Sequence, residues 1–359
     1  MSKIVLTGGG TAGHVTPNIA LMPALRAKGF EIEYIGSYEG IEKQLIEQEG
    51  VTYYGISSGK LRRYFDWKNF TDPFRVLRGY VQSRRLLKKI GPDVVFSKGG
   101  FVSVPVVRAA ASLHIPVIIH ESDMTPGLAN KLAFPAARYV CCNFPETVAY
   151  LPEGKAVLTG SPIRGQLLHG ERAKGAAFCG LDADRPVLLV TGGSQGSASV
   201  NALVRRNLDE LLKIFQIVHL CGAGNLDESL KDREGYVQYE YIREELPDLF
   251  ALADVVVSRA GANSICELLA LRKPALLIPL PASASRGDQI LNARSFKKQG
   301  FSEMLEEETM TDEQFLETVQ KLYRDRDAYR QTMDGTPASD AIARITELIC
   351  EAAGSIRTL

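Results

Sequence analysis

Residues that could carry out chemistry follow short apolar runs at five places in the chain. Each run has the length and composition of a buried parallel strand. Glycine or polar residues come directly after the runs, at 8–14, 98–101, 121–123, 192–196 and 259–263. Glycine lets a phosphate approach the backbone, and a helix that begins beside it offers unpaired N–H groups. Because ligands of open α/β sheets bind beyond the carboxyl ends of the strands, this pattern predicts an anionic ligand such as a nucleotide.

The first of these loops has the spacing G-x-G-x-x-G, which is also found in dinucleotide-binding enzymes. Such an enzyme needs an acidic residue at the end of the second strand to bind a ribose, but here that strand ends in the sequence YIGS. Glu31 and Glu33 lie within the strand, where alternation predicts that both face solvent. The dinucleotide alternative is weakened but stays open, and so does a set of tight turns without a ligand.

The second half of the chain carries more specific candidates. Glu267 falls near the start of a predicted helix, where a carboxylate accepts two hydrogen bonds from a ribose diol or simply complements the helix dipole. Ser194 could donate a hydrogen bond to a diphosphate, or it could simply cap a helix. Arg164 could reach the same phosphates, or it could be an ordinary surface arginine. Asp288 and Gln289 begin another helix, where they suit sugar hydroxyls or merely form an exposed helix start.

Two parallel α/β sheets are needed to position these loops. Continuous apolar strands alternate with amphipathic stretches, such as 15–28 and 198–215, and the pattern of strand, glycine loop and helix begins twice. We therefore predict two Rossmann-like, doubly wound domains, residues 1–161 and 162–337, with a boundary in the turn-rich segment GSPIRGQ. Four helical segments close the sequence from about 288 to 354, and a helix at about 338–359 is predicted to pack back on the first domain.

Composition argues against several classes of protein. The 359 residues include 42 basic and 42 acidic side chains, which does not favour a general polyanion binder, and no run of eighteen apolar residues predicts a membrane span. The first residues enter a strand and do not have the pattern of a secretory signal. The six cysteines show no CxxC spacing, so we expect buried, reduced thiols rather than a metal site or disulfides.

Several segments taken together resemble one known family. In order, GGGTAGHVTPNIAL, SKGGFVSVPVV, HESDMTPGLANK, LTGSPIR, TGGSQGSASVN and SRAGANSICELLALRKPALLIPLP, followed by DQILNA, are similar to the MurG family of UDP-N-acetylglucosamine:lipid I N-acetylglucosaminyltransferases. The match covers essentially the whole chain. The resemblance implies the GT-B architecture, in which two Rossmann-like domains face each other across a cleft. It also places the UDP-sugar on the C-terminal domain and the lipid-linked acceptor on the N-terminal domain.

Carried over by position, the resemblance implies a set of residues that bind UDP-GlcNAc. The set comprises Thr11, Ala12, Gly13, Asp123, Arg164, Ser194, Ile242, Ala262, Asn263, Ser264, Ile265, Cys266, Glu267 and Gln289. Within it, Ser194 is expected at the diphosphate and Glu267 on the ribose. Ile242 is expected to meet the uracil through its backbone, and Gln289 to hold hydroxyls of the transferred sugar. Asp123 stands where the family often has asparagine, and a carboxylate accepts hydrogen bonds but cannot donate them.

The resemblance further implies an inverting hexosyltransferase. The donor is α-linked and the product β-linked, so N-acetylglucosamine passes in one displacement to the C4 hydroxyl of N-acetylmuramic acid in lipid I, giving lipid II. A base must take the proton of that hydroxyl. We predict His14, because histidine titrates near neutral pH, with His120 and Glu121 as rivals and a purely structural histidine as the alternative. Helix N-termini, Ser194 and Arg164 would stabilise the leaving diphosphate with no metal or other cofactor, since no DxD-like cluster occurs in these loops.

A lipid-linked acceptor requires contact with a membrane surface. Residues 59–89 hold ten Lys or Arg and two Asp, with aromatic and aliphatic side chains between them, and we predict a membrane patch of Trp67, Phe70, Phe74 and Leu77. Basic residues mixed with aromatic ones are typical of an interface with anionic lipid. We therefore predict a peripheral protein on the inner leaflet, at the cytoplasmic face of the bacterial cell membrane. A solvated helix with a partly buried face is the alternative.

Other functions stay open at this stage. A GT-B transferase with a different acceptor would share these motifs. A UDP-sugar epimerase-like protein or a nucleotide sensor would share the architecture, although an epimerase should need further acidic residues at the sugar. Nucleic acid is not predicted as a partner, because no recognition motif supports it. Proteins of cell-wall synthesis and division are expected partners only through the resemblance, as is a role in cell shape and the cell cycle.

Overall fold

The computed structural model describes residues 2–59, 68–193, 196–334, 336 and 341–354, with the backbone alone for 68–73. The chain divides into two compact units, one formed by Met1–Arg164 with Asp340–Leu359 and the other by Gly165–Ser339. The division falls inside the segment GSPIRGQ, a few residues beyond the boundary drawn from the sequence, and the terminal segment belongs to the first unit.

The first unit contains a seven-stranded sheet in the order β3-β2-β1-β4-β5-β6-β7, and all its strand pairs are parallel. The strands are β1 Ser2–Thr7, β2 Phe30–Ser37, β3 Thr52–Ile56, β4 Val94–Ser97, β5 Val117–Glu121, β6 Tyr139–Cys142 and β7 Ala156–Leu158. The strand order reverses between β1 and β4. Parallel doubly wound sheets bind their ligands at such a switch point, beyond the strand ends.

Helices cover both faces of the first sheet. They are α1 Thr16–Ala27, α2 Ile41–Gln48, α3 Lys68–Ile90, α4 Ser103–Ser112, α5 Leu128–Ala133 and, from the end of the chain, α14 Ala341–Gly354. Alternation along β1 sends Ile4 to one apolar cluster, where Ile345 and Ile349 of α14 pack, and Val5 to the cluster on the opposite face. The terminal helix therefore completes the core of the first unit, and its apolar face is what holds it there.

The second unit repeats the plan with a six-stranded parallel sheet in the order β10-β9-β8-β11-β12-β13. Its strands are β8 Val187–Thr191, β9 Gln216–Leu220, β10 Tyr236–Tyr239, β11 Val255–Ser258, β12 Ala275–Leu277 and β13 Ser302–Met304. Its helices are α6 Arg172–Cys179, α7 Ala198–Arg206, α8 Leu208–Leu212, α9 Leu246–Leu252, α10 Ala262–Ala270, α11 Asp288–Lys298, α12 Asp312–Arg324 and α13 Arg326–Asp334. The switch point of this sheet lies between β8 and β11. The predicted class of two doubly wound parallel domains is confirmed.

Two details of local structure differ from the sequence-based prediction. The amphipathic stretch 198–215 is not one helix, because the side chain of Asn207 donates to the carbonyl of Leu203 at 2.9 Å and the backbone leaves the helical region at that residue. Glu31 is exposed as predicted, but the prediction for Glu33 was wrong. Glu33 is buried, since Lys3 and Tyr54 on the neighbouring strands cover its carboxylate.

All six cysteines are free thiols, and five of them are buried. Burial raises the pKa of Cys141 and of Cys142 to about 12, so both are protonated at neutral pH. Among the described residues, no helix is long and apolar enough to cross a membrane.

Candidate functional site

The loops after β1 and β4 pack directly against each other at the switch point of the first sheet. The contact is so close that a Cβ atom on Gly100 would lie 2.3 Å from the carbonyl oxygen of Gly9. Lys98 N–H also donates to the Thr7 carbonyl at 2.9 Å, which extends the pairing of the two strands into their loops. Only glycine allows this approach of two backbones, so the two glycine runs of the first half form one surface.

His14 ends a short 3₁₀ turn, Ala12–His14, that connects the first glycine loop to α1. Its ring is partly exposed, and its Nδ1 atom lies 3.0 Å from the hydroxyl oxygen of Thr11. Ala12 and Gly13 are half-buried, and the Ala12 carbonyl accepts from the Thr16 hydroxyl at 2.8 Å. If His14 Nδ1–H donates to Thr11, the Nε2 atom carries the lone pair that a general base needs.

Glu121, at the end of β5, is held by three donors. One carboxylate oxygen accepts from the Asp123 N–H at 3.1 Å, and the other accepts from the Gly127 N–H at 3.1 Å and from the Asn130 amide at 2.9 Å. The side chain is buried, and burial raises its pKa. These bonds fix the turn that presents Asp123, which is itself half-buried.

His120 and Lys98 form a buried pair beneath the same edge of the sheet. The Lys98 ammonium donates to His120 Nδ1 at 2.7 Å and to the Ser122 hydroxyl, and His120 Nε2 lies 2.9 Å from the Gly160 carbonyl. Burial, and then the charge of Lys98, lowers the pKa of His120 well below its usual value. His120 is therefore a neutral ring that donates to Gly160 through Nε2, and it joins the end of β5 to the segment after β7.

In the second unit, Arg259 connects the loops on both sides of the switch point. It follows β11, and its guanidinium donates to the hydroxyls of Ser197 and Ser199, at 2.7 and 2.8 Å, just beyond the glycine loop after β8. It also donates to the carbonyls of two residues after β12 and forms an ion pair with Glu307. Ser194, predicted at the diphosphate, lies outside the described residues.

The segment from Ala262 to Glu267 forms the first turn and a half of α10, with Gly261 at its N-cap. Three of its side chains are buried and three are partly exposed, the latter being Asn263, Ser264 and Glu267. Asn263 and Glu267 are four residues apart and so share one helix face. Only these three of the six predicted residues can therefore offer side chains to a ligand, and the others can offer their backbone.

The other predicted donor-binding residues lie on separate loops. Gln289, in the first turn of α11, accepts from the Leu280 N–H at 3.1 Å through its amide oxygen, which fixes the side chain beside the end of β12. Ile242 follows β10, which is the outermost strand and is separated from β11 by β9 and β8. Arg164, half-buried after β7, has a buried Nε atom that finds no hydrogen-bond partner among the described residues.

The predicted membrane patch is described in part. Trp67 lies outside the described residues, and of Phe70 only the backbone in α3 is described. Phe74 and Leu77 are 75% and 61% exposed, and Val81, which the sequence analysis did not include, shares their helix face and is 41% exposed. Within the part of the chain that the structure describes, no group of three or more His, Cys, Asp or Glu side chains could hold a metal ion.

Three charged residues near these strand ends are buried, and no role was predicted for them from the sequence: Glu42, Lys98 and Arg259. Arg259 and Lys98 stood in quoted motifs, where a charged residue directly after an apolar strand was a usable signal. Glu42 lies in α2 and carried no signal, because a glutamate in the first turn of a helix is ordinarily exposed.

Comparison with known proteins defines the class first. Residues 4–141 match the glycosyltransferase family 28 N-terminal domain, and residues 187–348 match the family 28 C-terminal domain. The first match covers the first sheet as far as β6, and the second match covers the whole of the second sheet. The whole arrangement is therefore that of a two-domain glycosyltransferase.

Curated relatives then define the particular family. A protein of Lachnospira eligens is 64% identical over 97% of this chain and 99% of its own length, and one of Lachnoclostridium phytofermentans is 60% identical over 98% and 99%. Both are named UDP-N-acetylglucosamine--N-acetylmuramyl-(pentapeptide) pyrophosphoryl-undecaprenol N-acetylglucosamine transferase. The chain belongs to this family, and it is a hexosyltransferase.

Solved structures agree on the fold. MurG of Acinetobacter baumannii superposes with a TM-score of 0.75 at 24% identity, covering 98% of this chain and all of its own. A UDP-GlcNAc 2-epimerase of Methanocaldococcus jannaschii superposes with a TM-score of 0.69 at 14% identity, covering 98% of this chain and all of its own. At these identities the likeness is one of fold, so the epimerase alternative gains no support from it.

Proposed function

We propose that this protein transfers N-acetylglucosamine from UDP-N-acetylglucosamine to the C4 hydroxyl of N-acetylmuramic acid in lipid I, giving lipid II for peptidoglycan synthesis. The observation that carries the proposal is the 64% identity to a curated relative of that activity over 97% of the chain. The dinucleotide alternative is not favoured, since the end of β2 presents Ser37 rather than an acidic residue.

The donor is assigned to the second unit. Its glycine loop after β8 and the N-terminus of α10 flank the switch point, where backbone N–H groups suit a diphosphate. Glu267 has a partly exposed carboxylate for the ribose diol, and Gln289 has an amide nitrogen that can donate to a sugar hydroxyl while its oxygen holds Leu280. We also assign Ser194 and Arg164 to the diphosphate, on the resemblance and on the positive charge of the guanidinium.

His14 is assigned as the general base in preference to Glu121 and His120. Both oxygens of Glu121 already accept hydrogen bonds, and His120 is a buried neutral ring with both nitrogens engaged. His14 is partly exposed at the carboxyl end of β1, and Thr11 can hold its Nδ1–H so that Nε2 accepts the proton of the attacking hydroxyl. Inversion requires no covalent intermediate, so one base and a stabilised leaving diphosphate complete the mechanism.

The exposed face of α3 is assigned to the membrane. Phe74, Leu77 and Val81 are exposed, and Arg78 and Arg85 lie on the same face. Burial of a large apolar side chain contributes roughly 1.5–3 kcal/mol, and each nearby basic residue about 1 kcal/mol on anionic lipid. A few such side chains suffice for reversible binding of a peripheral protein to the inner leaflet, where a lipid-linked acceptor lies. Partners in cell-wall synthesis and division belong to the same proposal.

The test of the function is a reconstituted transfer assay. The protein is incubated with UDP-N-acetylglucosamine and a lipid I analogue, and both UDP and the β-1,4-linked disaccharide product are measured. A parallel incubation without acceptor is analysed for UDP-N-acetylmannosamine, the product of an epimerase. Disaccharide that depends on the acceptor supports the proposal. UDP-N-acetylmannosamine without acceptor, or transfer only to a different sugar acceptor, would replace it with one of the alternatives.

A further inference from the structure

The first glycine loop already holds an anion that belongs to the protein. Glu42, in the first turn of α2, is completely buried, and one of its carboxylate oxygens accepts from the Gly10 N–H at 3.2 Å. The other oxygen accepts from the N–H and the hydroxyl of Ser37, at 3.1 and 2.5 Å. The carboxylate thus connects the loop after β1 to the end of β2.

Glycines make the room for this carboxylate. A Cβ atom on Gly9 would lie 2.5 Å from the carboxyl carbon of Glu42, and one on Gly40 would lie 2.1 Å from it. Neither distance is possible between non-bonded carbons, so any larger residue at either position would displace the carboxylate. The first glycine loop, which suggested a phosphate site, therefore accommodates an internal side chain at Gly9.

The opposite side of the loop is held as well. The Tyr34 hydroxyl donates to the Gly8 carbonyl at 2.7 Å, and the Asn18 amide reaches the Tyr34 hydroxyl at 3.1 Å and the His14 carbonyl at 3.4 Å. Glu42 on one side and the pair Tyr34–Asn18 on the other fix the backbone that leads into the turn carrying His14.

We propose that Glu42 is a positioning residue for the transfer reaction, which fixes the backbone of the first glycine loop and through it the place of His14. The inference rests on the proposed function. It also limits the donor contact of this loop, because the Gly10 N–H that a phosphate would use is given to Glu42, and a second anion beside a buried carboxylate is repelled. Gly10 therefore does not bind the diphosphate.

The test is the substitution Glu42→Gln, which keeps shape but replaces one acceptor oxygen by an NH₂ group. That group must face either Gly10 N–H or the Ser37 donors, so one connection is lost. We expect kcat to fall roughly 10- to 100-fold, since a displacement of about 1 Å can cost that much, while KM for UDP-N-acetylglucosamine stays within about threefold. Glu47→Gln, on the exposed face of the same helix, is the matched control and should behave like wild type.

Hydrogen exchange supplies a readout that does not depend on activity. In Glu42→Gln the amides of 8–14 should exchange faster than in wild type and in Glu47→Gln. If Glu42→Gln does not fold, Ser37→Ala removes a single donor and should show the same split with a smaller loss of kcat. A kcat within about threefold of wild type, or an equal loss of donor binding, would overturn the proposal. Wild-type protein without transfer activity would refute the proposed function instead, and the exchange result would still decide whether Glu42 holds the loop.

Discussion

Arg259→Met should destabilise the second unit more than the loss of an exposed ion pair would. The guanidinium is buried, donates to Ser197 and Ser199, and forms an ion pair with the partly buried Glu307. Methionine fills a similar volume but leaves Glu307 and two carbonyls without their donor. Breaking a buried pair costs about 3–5 kcal/mol. Because Glu307 retains some exposure, we expect the lower end, about 3 kcal/mol, which corresponds to a decrease in Tm of roughly 6–12 °C for a unit of this size.

The matched control is Arg206→Met, which removes an arginine–carboxylate pair of similar geometry at the surface. Arg206 lies 2.7 Å from Asp312, but both side chains are about half exposed, so the loss should stay below about 1 kcal/mol. Thermal unfolding at one pH and ionic strength, with and without UDP, measures both variants. The rise of Tm on adding UDP should shrink in Arg259→Met, because the loop after β8 loses its connection to β11. Equal Tm values for the two variants would show that the buried contacts of Arg259 contribute no more to stability than an exposed ion pair does.

Four further predictions follow from the site and its surroundings. His14→Ala should lower kcat by about a hundredfold or more and leave UDP affinity within about threefold, because it removes a base and no donor contact; near-normal kcat would exclude His14 from the mechanism. Phe74→Ser combined with Leu77→Ser should weaken co-sedimentation with anionic vesicles at least about tenfold. The control Leu168→Ser, which removes a leucine that is 53% exposed in the other unit, should bind like wild type. Equal binding of the wild type and both variants would refute the assignment of this helix face to the membrane. Burial lowers the pKa of His219 to about 3, so below about pH 6.5 the unfolded chain takes up a proton that the folded chain excludes. This residue alone therefore lowers the free energy of unfolding by about 1.4 kcal/mol for each pH unit of acidification. Urea unfolding at several pH values should show that the free energy of unfolding depends less steeply on pH in His219→Gln, and an unchanged dependence would contradict this. A chelator should leave the transfer rate within about twofold, since the donor set at the diphosphate is assigned to N–H groups, Ser194 and Arg164, and loss of activity restored by a divalent cation would contradict that assignment.

The strands in the middle of each sheet were predictable, and so was the edge strand β7, but the other three edge strands were not. β3, β10 and β13 were not predicted from the sequence, and each is an edge strand of its sheet. A central parallel strand is covered on both faces and reads as a continuous apolar run, whereas an edge strand needs less apolar character and is often short. The break at Asn207 was also hidden, because one side-chain hydrogen bond decides it and the apolar pattern continues beyond it.

The sequence by itself determined the two doubly wound units, the strand-end loops and, through its motifs, the family. These follow from local hydrophobic periodicity and from glycine, whose spacing is visible in the chain. The tertiary structure alone decided which charged groups meet at those loops. Glu42 lies 32 residues from Gly10 and Arg259 lies 62 from Ser197, and no local pattern records such a pairing. The physical reason is that a buried charge is tolerated only where the whole fold supplies its partners.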